Sequence, residues 1–185
     1  MQFIERTCIF DSGHRVLNEK VKCYNLHGHT FITRLTFSFE STEEIGYSID
    51  FKEIKRVGCQ WIDDILDHGF LVNPKDNHVI ACIKETDTKM WKMSLNGAEE
   101  YCNPSAENIS KEIFLAMEIL FREQGKDCGL RIHSVELNET PNCKVITYAN
   151  SVTDQERKNF NEYRFTEIDQ YRESKGIMEY DDRIS

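Results

Sequence analysis

No stretch of this 185-residue chain approaches the ~20 consecutive apolar residues that a membrane-spanning helix needs. The opening residues, "MQFIERTCIF", have no basic start followed by an apolar core, so they do not read as a secretion signal. No Cys-x-x-Cys pair occurs, no internal repeat of solenoid period is present, and no low-complexity tract breaks the chain. A cationic surplus is missing too: 32 Asp and Glu oppose 23 Lys and Arg, a formal net charge of −9. Such a surface repels phosphate backbones, which argues against nucleic-acid binding over a broad face and leaves room only for a local basic pocket. These absences predict a cytoplasmic protein with no membrane and no nucleic-acid partner.

What is present points to a folded enzyme-sized domain. Hydrophobic residues make up 39% of the chain and aromatics 11%, enough to build a core and to exclude a disordered chain. The length suits one domain with a decorated core, or a small domain plus appendages. The cysteines are Cys8, Cys23, Cys59, Cys82, Cys102, Cys128 and Cys143. Seven is an odd number and the chain is too long for a disulfide-dense mini-domain, so free thiols in a reducing compartment are expected.

Residues 2–10 read as a strand. Residues 31–39, "FITRLTFSF", alternate: Phe31, Thr33, Leu35, Phe37 and Phe39 share one face, and Arg34, Thr36 and Ser38 the other. Between them a long loop, 11–30, is expected to hold His14, Cys23, His27 and His29. Residues 50–68 read as a helix, with Asp50 as N-cap, Glu53 closing a capping box, and Phe51, Ile54, Val57, Ile62 and Ile65 at helical spacing; Gly69 can end it. A second helix spans 105–125, capped by Ser105 and striped by Ile109, Ile113, Ala116, Met117 and Leu120. Strands at about 130–138 and 143–149 follow, joined by the turn-forming "NETPN". The order is strand, strand, helix, helix, strand, strand. Two segments decorate it: 71–103, where an extra hairpin is expected, and 150–185, expected as a short helix around 153–175 with a frayed acidic end.

The chemistry concentrates in "KCYNLHGHTF", 22–31. His27 and His29, one residue apart, point to one side on extended backbone. With His14 they make three imidazoles, the donor set of a zinc centre with one open position. Cys23 leaves two alternatives open. It closes a structural Cys–His₃ site, or it stands beside the metal as a thiolate that moves protons. Asp67 beside His68 in "ILDHGF" is either a polar helix end or a carboxylate that fixes the tautomer of a proton-handling imidazole. Glu139, at a strand end, is either an exposed turn residue or an acceptor for two parallel N–H bonds from a flat heterocycle. His78 and His133 have no partnering pattern and read as structural.

Six stretches carry a resemblance: "GHRV" at 13–16, "CYNLHGHTF" at 23–31, "GYSIDFKEIK" at 46–55, "LDHGFL" at 66–71, "NPSAENIS" at 103–110 and "NET" at 138–140. In this order they resemble the 6-pyruvoyltetrahydropterin and 6-carboxytetrahydropterin synthase family, over residues 1–149. The resemblance implies an α+β tunnelling fold, an antiparallel sheet with helices on one face, whose sheets join into a barrel in a homo-oligomer, expected to be a hexamer. It implies zinc on His14, His27 and His29, Cys23 as catalytic thiol, and Asp67 and His68 as its relay, meeting it across a subunit interface. Glu139 would anchor the pterin with Thr140 beside it, and Ser105 and Glu107 would line the pocket.

The C-x₃-H-x-H spacing resembles the bacterial carboxy branch. That branch converts 7,8-dihydroneopterin triphosphate to 6-carboxy-5,6,7,8-tetrahydropterin, acetaldehyde and triphosphate, toward queuosine and related 7-deazaguanines. A synthase that stops at pyruvoyltetrahydropterin is the near alternative, and a noncatalytic zinc-stabilised binding module the distant one. Arg15, Lys20 and Lys22 are the expected local basic patch for the triphosphate.

Overall fold

A computed structural model describes residues 1–18, 20 and 22–176. Its central element is a pair of long antiparallel strands, β1 (Gln2–His14) and β2 (His27–Phe39). β5 (Arg131–Thr140) pairs antiparallel with β2, and β6 (Cys143–Tyr148) with β5. Both central strands are longer than the sequence pattern suggests. The inward alternation of Phe10, Phe31 and Leu35 continues through Ser12, His14, His27 and His29, which are polar and so read as loop. The connection shrinks to residues 15–26.

A continuous helical stretch follows, α1 (Phe51–Glu53), a π-helical segment (Ile54–Cys59) and α2 (Gln60–Ile65). Asp50 caps it as expected, accepting from the Lys52 amide. Glu53 forms no capping box; its carboxylate takes a bidentate pair from Arg56. Gly58 sits where a Cβ would lie 3.1 Å from Met117 Sδ and 3.3 Å from Leu35 Cδ1, so its missing side chain lets the helix lie close on the sheet. α4 (Ala106–Leu120) lies on the same face, capped by Ser105. Ile54, Val57, Trp61, Ile113, Phe114 and Met117 meet Phe31, Leu35 and Phe37 in one core. The α+β architecture is as expected, with these helices on one face of the sheet. A further helix, Asn77–Glu85, packs on the other face against Val72 and departs from that expectation.

The segment after the first helix is not a hairpin. It forms β3 (Gly69–Val72), α3 (Asn77–Glu85) and β4 (Met90–Lys92). β3 runs parallel to β1 and β4 parallel to β3, giving the order β4-β3-β1-β2-β5-β6. Val79, Ile80 and Ile83 recur at helical spacing and pack on Val72. Glu112 on α4 pins this segment: its buried carboxylate accepts from Trp91 Nε1 and from the Ser94 and Leu95 amides.

α5 (Asp154–Lys175) matches the expected helix, started by a capping box between Thr153 and Glu156. It packs on its own chain, with Phe160 and Ile168 fully buried in the main core. The expected frayed end falls mostly at 177–185, outside the described residues. Cys8 and Cys59 are joined as a disulfide, with Cα atoms 5.5 Å apart, against the expectation of free thiols throughout; Cys23, Cys82, Cys102, Cys128 and Cys143 are free. The pair joins the inner face of β1 to the helix packed on it, a contact with no short-spacing signal. Among the described residues no helix is long and apolar enough to cross a membrane.

Phe160→Ala is expected to cost about 3–5 kcal/mol, as for a fully buried aromatic. Urea unfolding of the full chain measures it. A loss under about 1 kcal/mol would mean that α5 does not share the core.

Candidate metal centre and active site

The pairing of β1 with β2 sets His14 opposite His27 and Ser12 opposite His29. The three imidazoles converge at the open end of the core face. One nitrogen from each lies within 4.8 Å of the others, and ring centroids are 4.6 to 5.2 Å apart. His14 is almost wholly buried and His29 about one-fifth exposed.

Backbone carbonyls set the tautomers. His14 Nδ1 lies 2.7 Å from the Pro104 carbonyl and His27 Nδ1 lies 2.7 Å from the Asn25 carbonyl. A carbonyl only accepts, so each Nδ1 carries the proton and each Nε2 presents a lone pair. His14 Nε2 is buried and has no hydrogen-bond partner among the described residues. Burial, aided by the neighbouring histidines, holds the His14 pKa below its ordinary value, against the opposing Pro104 bond and Glu139 charge, so its neutral form is favoured. Glu139 Oε1 stands 3.5 Å from this nitrogen and 4.0 Å from His29 Nε2. A lone pair and a carboxylate facing each other with no proton between them favour a cation in the gap. The donor set thus fits a divalent metal that accepts imidazole, with outer carbonyls orienting two ligands.

Glu139 reaches this position through an irregularity. The β5–β6 register shifts between Asn138 and Thr140, which leaves Glu139 unpaired in the ladder. Bulges commonly re-aim a side chain next to a site. Thr140 resumes the pairing opposite Cys143.

Cys23 lies outside the three-ligand group, on an exposed 3₁₀ turn, Lys22–Tyr24. Asp67 and His68 form a bonded pair, Asp67 Oδ2 with His68 Nδ1. The pair is tied to β1. The Asp11 amide donates to Asp67 Oδ1 at 2.7 Å, and the His68 amide donates to the Asp11 carbonyl at 2.7 Å. Lys89 donates to the Asp67 carbonyl at 2.6 Å. The left-handed turn after the helix falls on His68, φ 53°, while Gly69 begins β3 instead of ending the helix. Asp67 raises the His68 pKa through its hydrogen bond and charge. Partial burial would push the Asp67 carboxyl up, but the bonds from Asp11 and His68 bring it below the usual carboxylate range. His68 and His29 border one open groove of about 380 Å³, with Asp11, Gly28 and Thr30 along its floor.

Ser105 serves the helix: its Oγ accepts from the Asn108 amide at 3.5 Å. Glu107 is exposed in the first turn of α4. Of the expected basic patch, Lys20 and Lys22 are exposed, whereas the Arg15 guanidinium is committed to Asp76 through two bonds of 2.5 and 2.6 Å. That corrects Arg15 as a free phosphate contact. His133 packs between Phe3 and Tyr148, in keeping with a structural role. Sequence reasoning missed the carbonyls of Pro104 and Asn25. It also missed the two-point contact of the Asn103 amide with the Leu17 backbone, 2.9 and 3.0 Å, which ties the connection between the ligand-bearing strands to the start of α4.

A family model described as 6-pyruvoyl tetrahydropterin synthase matches residues 3–150, so α5 lies beyond the matched part. A Rickettsia typhi protein named 6-carboxy-5,6,7,8-tetrahydropterin synthase is 36% identical over 137 residues, covering 74% of this chain and 92% of that protein. An Aquifex aeolicus protein of the same name is 26% identical over 157 residues, covering 77% of this chain and 94% of that one. Among solved structures, the Caenorhabditis elegans 6-pyruvoyl tetrahydropterin synthase superposes with a TM-score of 0.53 at 20% identity, covering 80% of this chain and 95% of that one. An uncharacterized Wolinella succinogenes protein gives 0.61 at 18% identity, covering 80% and 98%. These two likenesses concern the fold.

Asp67→Asn should lower the His68 pKa toward its ordinary value, as read by an NMR titration of the ring protons. Because the folded His68 pKa is raised, the pair's contribution to stability is full below about pH 6.5. It fades as pH rises through the folded value. The variant should therefore lose most stability relative to the parent at pH 6, with the gap narrowing at higher pH to the remainder set by the Asp11 amide bond to the carboxylate. An unmoved His68 titration would show that the two side chains are uncoupled in solution.

Proposed function

The chain belongs to the 6-pyruvoyl tetrahydropterin synthase family, and from that premise we propose that it is a 6-carboxy-5,6,7,8-tetrahydropterin synthase. The reaction is a carbon–carbon lyase step. 7,8-Dihydroneopterin triphosphate and one water give 6-carboxy-5,6,7,8-tetrahydropterin, acetaldehyde and triphosphate, toward 7-deazaguanines such as queuosine. The observation that carries it is the convergence of three imidazoles, one with a buried nitrogen that has no partner among the described residues, beside the Glu139 carboxylate. The names of the Rickettsia and Aquifex relatives and the C-x₃-H-x-H spacing support the carboxy branch.

His14, His27 and His29 would hold zinc, which when bound polarises oxygens of the substrate side chain and stabilises the charge that develops there. Glu139 would accept from the ring edge of the pterin, with Thr140 alongside, and so hold the side chain at the centre. Its 3.5 Å approach to His14 supports a ring seated next to the ligands. Cys23 would take and return protons at neighbouring side-chain carbons, with His68 as its partner. Asp67 would keep His68 in the tautomer with Nδ1 protonated and Nε2 toward the groove. Ser105 would act through the start of α4, Glu107 would border the pocket, and Lys20 and Lys22 would meet the triphosphate.

A homo-oligomer, in our proposal a hexamer, fits the bare side of the sheet. α1, α2, α4 and α5 cover one face. α3 covers only the β3–β4 end of the other, which along β1 and β6 exposes Phe3, Ile9, Ile146 and Tyr148, a surface that another sheet would cover. In that assembly the Asp67–His68 pair would serve Cys23 of a neighbouring subunit. The proposed place of action is the cytoplasm: five of the seven cysteines are free, which supports it, while the Cys8–Cys59 disulfide is of a kind uncommon there. The pyruvoyl alternative rests on the family description and on the C. elegans neighbour.

Turnover of 7,8-dihydroneopterin triphosphate by zinc-loaded protein is expected to yield carboxytetrahydropterin with matching acetaldehyde. Pyruvoyl product without acetaldehyde would move the enzyme to the other branch. Cys23→Ala is expected to keep its zinc and lose about 10²–10⁴-fold in kcat. Loss of zinc instead would favour a closed structural site.

A further inference from the structure

Arg15 follows the buried ligand His14 at the end of β1 and is only 15% exposed. Its guanidinium is held in a fork by Asp76, itself 3% exposed, with Nε to Oδ2 at 2.5 Å and a second N–H to Oδ1 at 2.6 Å. Asp76 is the N-cap of α3, within the segment between the two main helices. The guanidinium also lies over the Tyr24 ring, 5.0 Å from its centroid. Tyr24 adjoins Cys23 in the short turn Lys22–Tyr24, none of whose residues is buried. One residue past Arg15, the Val16 amide donates to the Cys23 carbonyl at 2.8 Å. Among the described residues, then, a turn without a hydrophobic anchor hangs from residues 15 and 16 by a backbone bond and a ring-on-guanidinium contact.

We propose that Arg15 is a positioning residue for Cys23, clamped by Asp76 so that its flat face seats Tyr24 and sets the thiol's distance from the His14–His27–His29 centre. This rests on Cys23 being the working thiol. A guanidinium forked on a carboxylate is fixed in plane and orientation, which a lysine ammonium is not. A cation face holds an aromatic ring at the separation observed here. The consequence is that the β3–α3–β4 segment, remote in sequence from the ligands, governs the geometry of the active thiol.

The test uses the full zinc-loaded chain with Arg15→Gln, Asp76→Asn, Tyr24→Ala and Tyr24→Phe. Asparagine is also a good N-cap, so Asp76→Asn removes the charge and one arm of the clamp and keeps α3 started. Tyr24 is 44% exposed, so its replacement leaves the core intact. Hydrogen exchange at the Val16 amide reports the turn independently of any substrate, and kcat, KM and bound zinc report the site. Small displacements of a reacting group cost about 10²-fold at the extreme, so the Gln, Asn and Ala variants should lose roughly 10- to 100-fold in kcat. Their KM and zinc content should hold, and Val16 should exchange faster by about tenfold or more. Tyr24→Phe keeps the ring over the guanidinium and gives up only the hydroxyl's contact with it, so its loss should fall well short of that of Tyr24→Ala. Arg15→Gln with Tyr24→Ala should be no worse than either alone.

Parental Val16 exchange in Tyr24→Ala, or additive losses in the double variant, would overturn the inference and leave Arg15–Asp76 as a brace for α3 alone. Should the parent fail to turn over the pterin triphosphate, the functional assignment falls, and the Val16 exchange still decides whether Arg15 holds the turn.

Discussion

The register of β1 on β2 is the constraint on which the rest depends. It places His14 against His27 and Ser12 against His29, with all three imidazoles on the face that carries the core. A slip of one residue in strand pairing sends every side chain of a strand to the other face. Here it would expose Phe31, Leu35 and Phe37, all fully buried. At about 1.5–3 kcal/mol for each such side chain, the loss approaches the whole stability of a typical domain, about 5–15 kcal/mol. Packing of large apolar residues in the middle of the sheet therefore fixes the position of three histidines at its end. No metal is needed to choose that register.

The few residues at the end of β1 connect every part of the candidate site. Asp11 holds the Asp67–His68 pair through two backbone bonds. His14 reaches the start of α4 through the Pro104 carbonyl. Arg15 and Val16 meet the turn that carries Cys23. Asn103 then ties Leu17 back to the same helix start. In each chain both elements of the proposed proton machinery thus hang from the end of β1, and each would work with its counterpart in a neighbouring subunit. Glu139 joins them from β5 because a local irregularity in the ladder turns it toward the ligands.

Where periodicity or capping chemistry was strong, the fold was legible in the sequence. Ser105 announced α4, and α5 was expected over about 153–175, although its Thr153–Glu156 capping box went unread. The donor set His14, His27 and His29 was legible because alternating histidines on extended backbone share a side. Their placement in strands was not, since the inward pattern changes from apolar to polar just where the site begins. α3 falls where a hairpin is expected because Val79, Ile80 and Ile83 form a run too short to separate helix from strand. The left-handed residue was expected at Gly69, yet the backbone bonds of Asp11 impose that conformation on His68. The carbonyls that orient His14 and His27 had no signal at all, because every residue carries one.

The central claim is a metal centre of three imidazoles with the cysteine outside it. X-ray absorption at the zinc edge, on the zinc-loaded full chain, tests it most directly. The account predicts a shell of nitrogen and oxygen scatterers at about 2.0–2.1 Å with no sulfur. A sulfur scatterer at about 2.3 Å would place Cys23 on the metal, close the site, and contradict the account.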